Sequence, residues 1–379
     1  MPDVFKIADI LVSHAKRAHG EDVAIISYCG SYATGQASPT SDLDIYYIPD
    51  DGKAASLSSQ FVLDGLPYDF WPVSWKFAED IANARSTRPW AVSASLIANA
   101  RALHYRSQAD LDRFNALKSR IAELTRPESR SLMVGYALEE FRTTLFQLGQ
   151  MRLAANADDS TGLYRTGWEF GNSAVNCLAL MNQTYFTRGW GANMSQILEM
   201  RQKPDGLEDM LKGVTATGIP SATLEQADRL ASSVREMLRD AQLSLAEPSE
   251  AQEVFKDFYY FVFEYVGKVI STCDRKDAVA ASYAALSLQD LICKLMAQVE
   301  HGYFPTELNL SGEYTAPYYA AGFPNLIESA SRGDLMTLDA QTRQLDKMMR
   351  NWLSNHSVDL NILADNEHLR RFLNHRDPA

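Results

Sequence analysis

The feature that most limits the fold is a change of hydrophobic period along the chain. Up to about residue 118, short apolar runs alternate with amphipathic helical stretches; from Thr125 onward almost only the helical period is left. Such alternation predicts a small α/β domain, and the remainder predicts an all-α region more than twice as long. We read residues 1–118 as the α/β domain and 125–379 as helical, with a subdivision near 245 left open. A chain of 379 residues has room for two to three domains of roughly 150 residues each.

Within the α/β part, Phe5, Ala8, Leu11, Val12 and Ala15 recur at helical spacing opposite Lys6, Asp9, Lys16 and Arg17. Residues 23–26 predict a short buried strand, 30–40 a polar loop with a short helix, and 43–48 a second strand. Runs 61–63 and 66–73 flank Asp64 and Gly65, which tolerate positive φ and predict a hairpin. Residues 75–85 read as helix and 102–105 as a last strand. Further on, Thr125, Pro127 and Glu128 read as a capping box opening a helix with Leu138, Phe141, Leu145 and Leu148 on one side. One later helix carries Ala174, Cys177, Leu178, Met181 and Tyr185. Another carries Phe255, Phe258, Tyr259, Val262, Val266 and Val269, and a third covers 278–299. The helix pairs near 130–190 and 252–304 are similar enough to raise an internal repeat.

Composition narrows the function classes. A net charge of −12 disfavours a broad nucleic-acid face, which needs clustered Lys and Arg, and suits a cationic small substrate. Cys29, Cys177, Cys273 and Cys293 are widely scattered, with no zinc-type spacing, which suits a reducing compartment. The N-terminal residues show no signal-peptide pattern, and the apolar run 258–270 is broken by Glu264 and Lys268. The expectation is a soluble, cytoplasmic protein with no membrane partner.

The chemistry-bearing stretch is Ser27-Tyr28-Cys29-Gly30-Ser31, a polar loop, then Ser41-Asp42-Leu43-Asp44-Ile45. A buried strand running into Gly30 and Ser31 allows close backbone approach to a ligand, with N–H groups for phosphate oxygens. Asp42 and Asp44 lie two apart on a strand, so both carboxylates share a face while Leu43 and Ile45 turn to the core. Side-by-side carboxylates repel unless a cation lies between them, and hard oxygen ligands suit Mg²⁺ carrying nucleotide phosphates. Asp69 is a lone charge in the apolar strand Leu66-Pro67-Tyr68-Asp69-Phe70-Trp71, on the face opposite Tyr68 and Phe70. Such a charge is costly unless paired, for instance with Arg101, or metal-bound. Three carboxylates on adjacent strands can hold two Mg²⁺ ions for in-line displacement at phosphorus.

In this pattern the chain resembles the DNA polymerase β-like nucleotidyltransferase superfamily. The resemblance rests on Gly30-Ser31, then Asp42-Leu43-Asp44-Ile45, then Asp69 flanked by apolar residues, and covers about residues 22–72. The helical region that follows makes the architecture look like the aminoglycoside nucleotidyltransferases. The resemblance implies a small mixed-sheet domain followed by a large helical region. It implies Asp42, Asp44 and Asp69 as catalytic metal ligands for two Mg²⁺ ions, and Gly30, Ser31 and Ser41 on the nucleotide. The implied reaction moves a nucleoside monophosphate, AMP from ATP, to a hydroxyl of a small acceptor, aminoglycoside-like, with release of pyrophosphate. The alternatives are nucleotidylation of a protein, as in toxin–antitoxin systems, and a non-catalytic nucleotide sensor.

For the general base, Asp69 itself is one candidate. The resemblance adds a helical-domain glutamate: Glu139 or Glu140, then Glu169 between Trp168 and Phe170, then Glu264 within an aromatic run. Tyr164, Trp168 and Trp190 are candidates to stack on an acceptor, although aromatics at helical spacing are usually core. Arg370 and His375 have a spacing found in helical ribonuclease toxins, and His14 and His19 read as surface residues of the first helix.

Overall fold

The computed structural model describes residues 4–38, 41–50, 53–86, 88–187, 194–216 and 219–374. The chain divides into two compact units, Met1–Ala241 and Gln242–Ala379.

The first unit opens with α1 (Val4–His19), β1 (Val23–Tyr28), the short α2 (Gly30–Thr34) and β2 (Asp44–Pro49). There follow β3 (Ser59–Leu63), β4 (Leu66–Pro72), α3 (Trp75–Ala82), α4 (Trp90–Ala98), β5 (Arg101–Tyr105) and α5 (Gln108–Leu124). Helices α6 (Arg130–Asn156), α7 (Ser160–Met181), α8 (Met194–Leu198), α9 (Leu207–Ala216) and α10 (Pro220–Leu245) complete it, the division falling inside α10. The chain does not break near 118, because α5 runs through that position as one helix.

The five strands form one mixed sheet in the order β3-β4-β2-β1-β5. The pair β2–β4 is parallel, with Asp44 opposite Asp69; the other pairs are antiparallel. The β3–β4 hairpin turns at Asp64 (φ 51°) and Gly65 (φ 77°), a left-handed pair that matches the twist of the strands. One sheet face buries Ile26, Ile45, Tyr47, Tyr68 and Phe70 against Val4, Ala8 and Ala15 of α1. At the far end of the sheet, Arg106 donates to Asp50 at 2.8 Å and to Asp110 at 3.1 Å, fastening the end of β2 to the start of α5.

Several expectations need correction: α7 ends at Met181, short of Tyr185, and Phe255 and Phe258 precede the later helix Tyr259–Asp274. Residues 125–128 do not form a capping box: Thr125 Oγ1 turns back to the Ala122 carbonyl, Pro127–Ser129 makes a 3₁₀ turn, and α6 starts only at Arg130. The buried stripe of α6 is Met133, Val134, Ala137, Phe141, Thr144, Leu148 and Met151, while Leu145 is exposed. Helices α6 and α7 pack along their length and turn at Asp158 (φ 53°), after which Asp159 caps α7 by accepting from the Gly162 N–H at 2.8 Å.

The second unit contains α11 (Ala251–Val254), α12 (Tyr259–Asp274), α13 (Ala278–His301), α14 (Ala316–Ala320), α15 (Leu326–Ser331), α16 (Leu335–Asn355) and α17 (Asn366–Asn374). Its core is built by Val262, Val266 and Val269 of α12, Leu288 and Ile292 of α13, and Leu345 and Met349 of α16. The α12–α13 corner repeats that of α6–α7: Lys276 has φ 57° and Asp277 caps by accepting from the Ala280 N–H at 3.0 Å. Among the described residues α13 is the one helix long and apolar enough to cross a membrane, yet its Leu288, Ile292, Cys293 and Ala297 are buried in the core of this unit.

Candidate active site

The site begins where β1 ends. Cys29 is still extended, and its N–H donates to the Asp44 carbonyl at 3.0 Å, which keeps β1 and β2 paired. The next residue turns the chain: Gly30 has φ +70°, and a Cβ built on it would overlap the Asp44 carboxylate. Only glycine accommodates both the backbone and that neighbour. The Thr34 hydroxyl donates back to the Gly30 carbonyl at 3.2 Å, and the Gln36 N–H donates to the Ser31 carbonyl at 2.8 Å. Farther along the loop, Ser41 Oγ accepts the Ser38 N–H at 2.8 Å.

Strand β2 begins only at Asp44, so Asp42 and Leu43 precede it instead of lying on it as expected. Leu43 and Ile45 are nonetheless fully buried in the cluster beneath α1, while Asp42 and Asp44 border a cavity on the other side. Asp69 faces Asp44 across the parallel β2–β4 pair. Its carboxylate accepts from Gln60 Nε2 at 3.2 Å. Arg101 is not its partner, because β5 lies beyond β2 and β1. Burial, then the charges of Asp42 and Asp69, push the Asp44 carboxyl up to about 6. Burial, then Asp44 and Asp42, also push the Cys29 thiol up, so it is no nucleophile here. Among the described residues, no three His, Cys, Asp or Glu side chains are grouped so as to hold a metal ion.

The cavity has a volume of about 550 Å³. Gly30, Ser31, Ser41, Asp42 and Asp44 form one side. The other side is built from Trp71, Phe77, Arg88 and the α4 residues Val92, Ser93, Ser95 and Leu96, with Thr187 from the segment after α7. Trp71 stacks on Tyr46 with ring centroids 5.4 Å apart, and the Tyr46 hydroxyl donates to the Leu96 carbonyl at 3.1 Å. The Arg88 guanidinium lies 5.6 Å from the Phe77 ring centre, and among the described lining residues it is the only cation.

None of the candidate glutamates of the first unit lines this cavity. Glu139 is exposed and ion-paired with Arg142. Glu140, one helical step round, is turned inward and accepts from Ser173 Oγ at 2.6 Å; burial, against the Ser173 and Asn176 hydrogen bonds, raises its carboxyl. Glu169 pairs with Arg165 at 3.1 Å on the outside of α7, and Glu264 belongs to the second unit, paired with Lys268 at 2.7 Å. Tyr164 and Trp168 are more than half exposed and do not line the cavity. His14 is exposed, and His19 lies near Asp22 and Ser56. Trp190 and His375 lie outside the described residues, and Arg370 is on the exposed α17. Sequence reasoning overlooked Arg88, Trp71, Phe77 and all of α4. The sequence Trp90-Ala91-Val92-Ser93-Ala94-Ser95 has small or apolar residues all round and so lacks the polar face that marks a surface helix.

Residues 111–244 match the KNTase C-terminal domain family. Among solved structures, a nucleotidyltransferase-like protein from Exiguobacterium sibiricum 255-15 is similar at 10 % identity, covering 65 % of this chain and 84 % of that one, with a TM-score of 0.38. No curated protein matches. With a mixed five-stranded sheet ahead of a stretch that matches the KNTase C-terminal domain, the chain resembles the polymerase β-like nucleotidyltransferases of the aminoglycoside-modifying type.

Proposed function

We propose that the protein is a magnesium-dependent nucleotidyltransferase that moves AMP from ATP to a hydroxyl group of a small acceptor. The observation that carries this reading is the apposition of Gly30, in left-handed backbone, to the Asp44 carboxylate at the edge of a cavity also lined by Ser31, Asp42 and Arg88. The partly buried Asp44 carboxylate, raised by the charges of Asp42 and Asp69, offers hard oxygen donors of the kind a divalent cation takes, although the three acids do not converge as a ready ligand cluster among the described residues. Asp42 and Asp44, with Asp69 beside them, are the residues that would hold two Mg²⁺ ions, the remaining ligands coming from phosphate oxygens and water. When bound, magnesium supplies positive charge at the phosphoryl oxygens and at the leaving pyrophosphate.

The chain's own contributions follow from position. Backbone without a Cβ at Gly30 lets the triphosphate approach the acids, and the Ser31 hydroxyl donates to a phosphate oxygen. Arg88 offers a fork of donors from the opposite wall. Trp71 and Phe77 cover a ring and exclude water from the reacting phosphorus. Asp69, opposite Asp44 on the neighbouring strand although not itself part of the cavity lining, is the group that accepts the acceptor's hydroxyl proton. A net charge of −12 favours a cationic acceptor, and the four buried free cysteines suit a reducing cytoplasm.

The test is calorimetric titration of ATP, GTP, CTP and UTP with and without Mg²⁺, followed by pyrophosphate release with a panel of hydroxylated amines and sugars. Magnesium-dependent ATP binding that is lost in both Asp42→Asn and Asp44→Asn supports the reading. Absence of magnesium-dependent binding of every nucleotide overturns it.

A further inference from the structure

Behind the α4 wall of the cavity lies a buried polar cluster that the proposed reaction does not use. Helix α4 starts after Pro89, which has no side-chain oxygen to cap it. The N–H of Ala91, in the first turn, is therefore one of the donors a helix cannot satisfy internally. It is met from another element: Asn176 of α7, only 2 % exposed, accepts it through Oδ1 at 2.9 Å. The carbonyl of the same Ala91 accepts from the Phe186 N–H at 2.6 Å.

The Asn176 amide is itself oriented. It stands beside the Glu140 carboxylate and favours its charged form; that carboxylate accepts from Ser173 Oγ at 2.6 Å, and Ser173 Oγ is 2.9 Å from Thr144 Oγ1. Asn176 accepts on one side and faces a carboxylate on the other, a pairing that suits a terminal amide and not a carboxylate or alkyl group. One residue beyond Phe186, Thr187 lines the cavity and donates to Gln36 Oε1 at 3.5 Å, in the loop that follows Gly30. The two cavity walls, α4 and the Gly30 loop, are thus both referenced to the stretch running from Asn176 to Thr187.

We propose that Asn176 is a positioning residue: held by Glu140, it caps α4 from outside and sets where Ser93 and Ser95 stand relative to Gly30 and Asp44. Its consequence for nucleotide binding rests on the reading of the cavity given above. This assigns Glu140 a structural task in place of the proton transfer expected for it.

The test uses the full chain and two variants, Asn176→Asp and Asn176→Asp/Glu140→Gln, with hydrogen–deuterium exchange of residues 90–98 and Mg·ATP affinity as readouts. Asn176→Asp keeps the acceptor for Ala91 but sets a carboxylate against Glu140. Exchange in 90–98 is expected to rise about tenfold and Mg·ATP affinity to fall about tenfold. In the double variant the donor and acceptor trade places. The amide introduced at position 140 donates to the carboxylate introduced at position 176, and the amide oxygen still accepts from Ser173. Exchange should return to within about threefold of wild type, and affinity with it. A general loss of packing would not be repaired by this second change. Unchanged exchange in Asn176→Asp, or exchange that the double variant fails to restore, overturns the proposal. Restored exchange without restored Mg·ATP affinity overturns its link to the cavity. If the wild type binds no Mg·ATP, the nucleotide reading falls, while the exchange series still decides whether Asn176 caps α4.

Discussion

Asp44→Asn should stabilise the metal-free protein, and the size of the gain follows from the site. The carboxyl of Asp44 moves from 3.8 to about 6 on folding, chiefly through burial and then through the charges of Asp42 and Asp69. At about 1.4 kcal/mol per tenfold change in proton affinity, this sets about 3 kcal/mol against the ionised form. Water reaching the cavity screens part of it, leaving about 1–3 kcal/mol. The folded state holds this proton more tightly than the unfolded state, so the penalty is absent below pH 3.8, grows between 3.8 and 6, and is complete above that. The amide removes the charge with little change of shape. Thermal unfolding in EDTA at pH 8 should show the first unit's transition raised by about 2–10 °C in the variant. At pH 4 the two proteins should nearly coincide. Magnesium should raise the wild-type transition and leave that of the variant where it was. If Asp44→Asn is no more stable than wild type at pH 8 in EDTA, the repulsive cluster described above is not what the folded protein contains.

Gly30→Val combines a strained φ with overlap against the Asp44 carboxylate; urea unfolding should show a loss of about 1–3 kcal/mol, and calorimetry a loss of Mg·ATP binding. Arg88→Gln should weaken Mg·ATP by about 1.5–3 kcal/mol with unfolding unchanged, since Arg88 is exposed. Cys29, Cys177, Cys273 and Cys293 are all buried with thiols pushed up by burial, so a native-state thiol titration should proceed only as fast as the protein opens.

What could be read from the sequence was whatever has a local physical signature. The hairpin at Asp64 and Gly65 is legible because its two left-handed residues are flanked by runs of strand period. The Gly30, Asp42 and Asp44 grouping is legible because the apolar Leu43 and Ile45 alternate with the two acids and go to the core, although the strand itself starts only at Asp44. Helix α4 is not, because burial on all sides erases the amphipathic period that would announce it. Arg88 is a single cation between two helices and carries no pattern of its own. The adjacent Glu139 and Glu140 differ by one step of helical phase, and which of them turns toward Ser173 is decided by how α6 lies on α7. The misplaced capping box near Thr125 is a case of competing local chemistry, in which the hydroxyl finds the Ala122 carbonyl before it can serve a helix start.

The strand order has a consequence for synthesis. The last strand made, β5, lies beside the first, with Arg101 opposite Tyr28, while the other side of β1 waits for β2 and the Asp44 carbonyl. The corner at Cys29 and Gly30 therefore cannot be gripped from both sides when it leaves the ribosome. It must stay open until long-range pairing arrives, a slow step compared with closing the helix pairs that follow. A nascent chain that has not yet reached Arg101 already holds every residue assigned to the ions and the phosphates, yet lacks the strand that braces them.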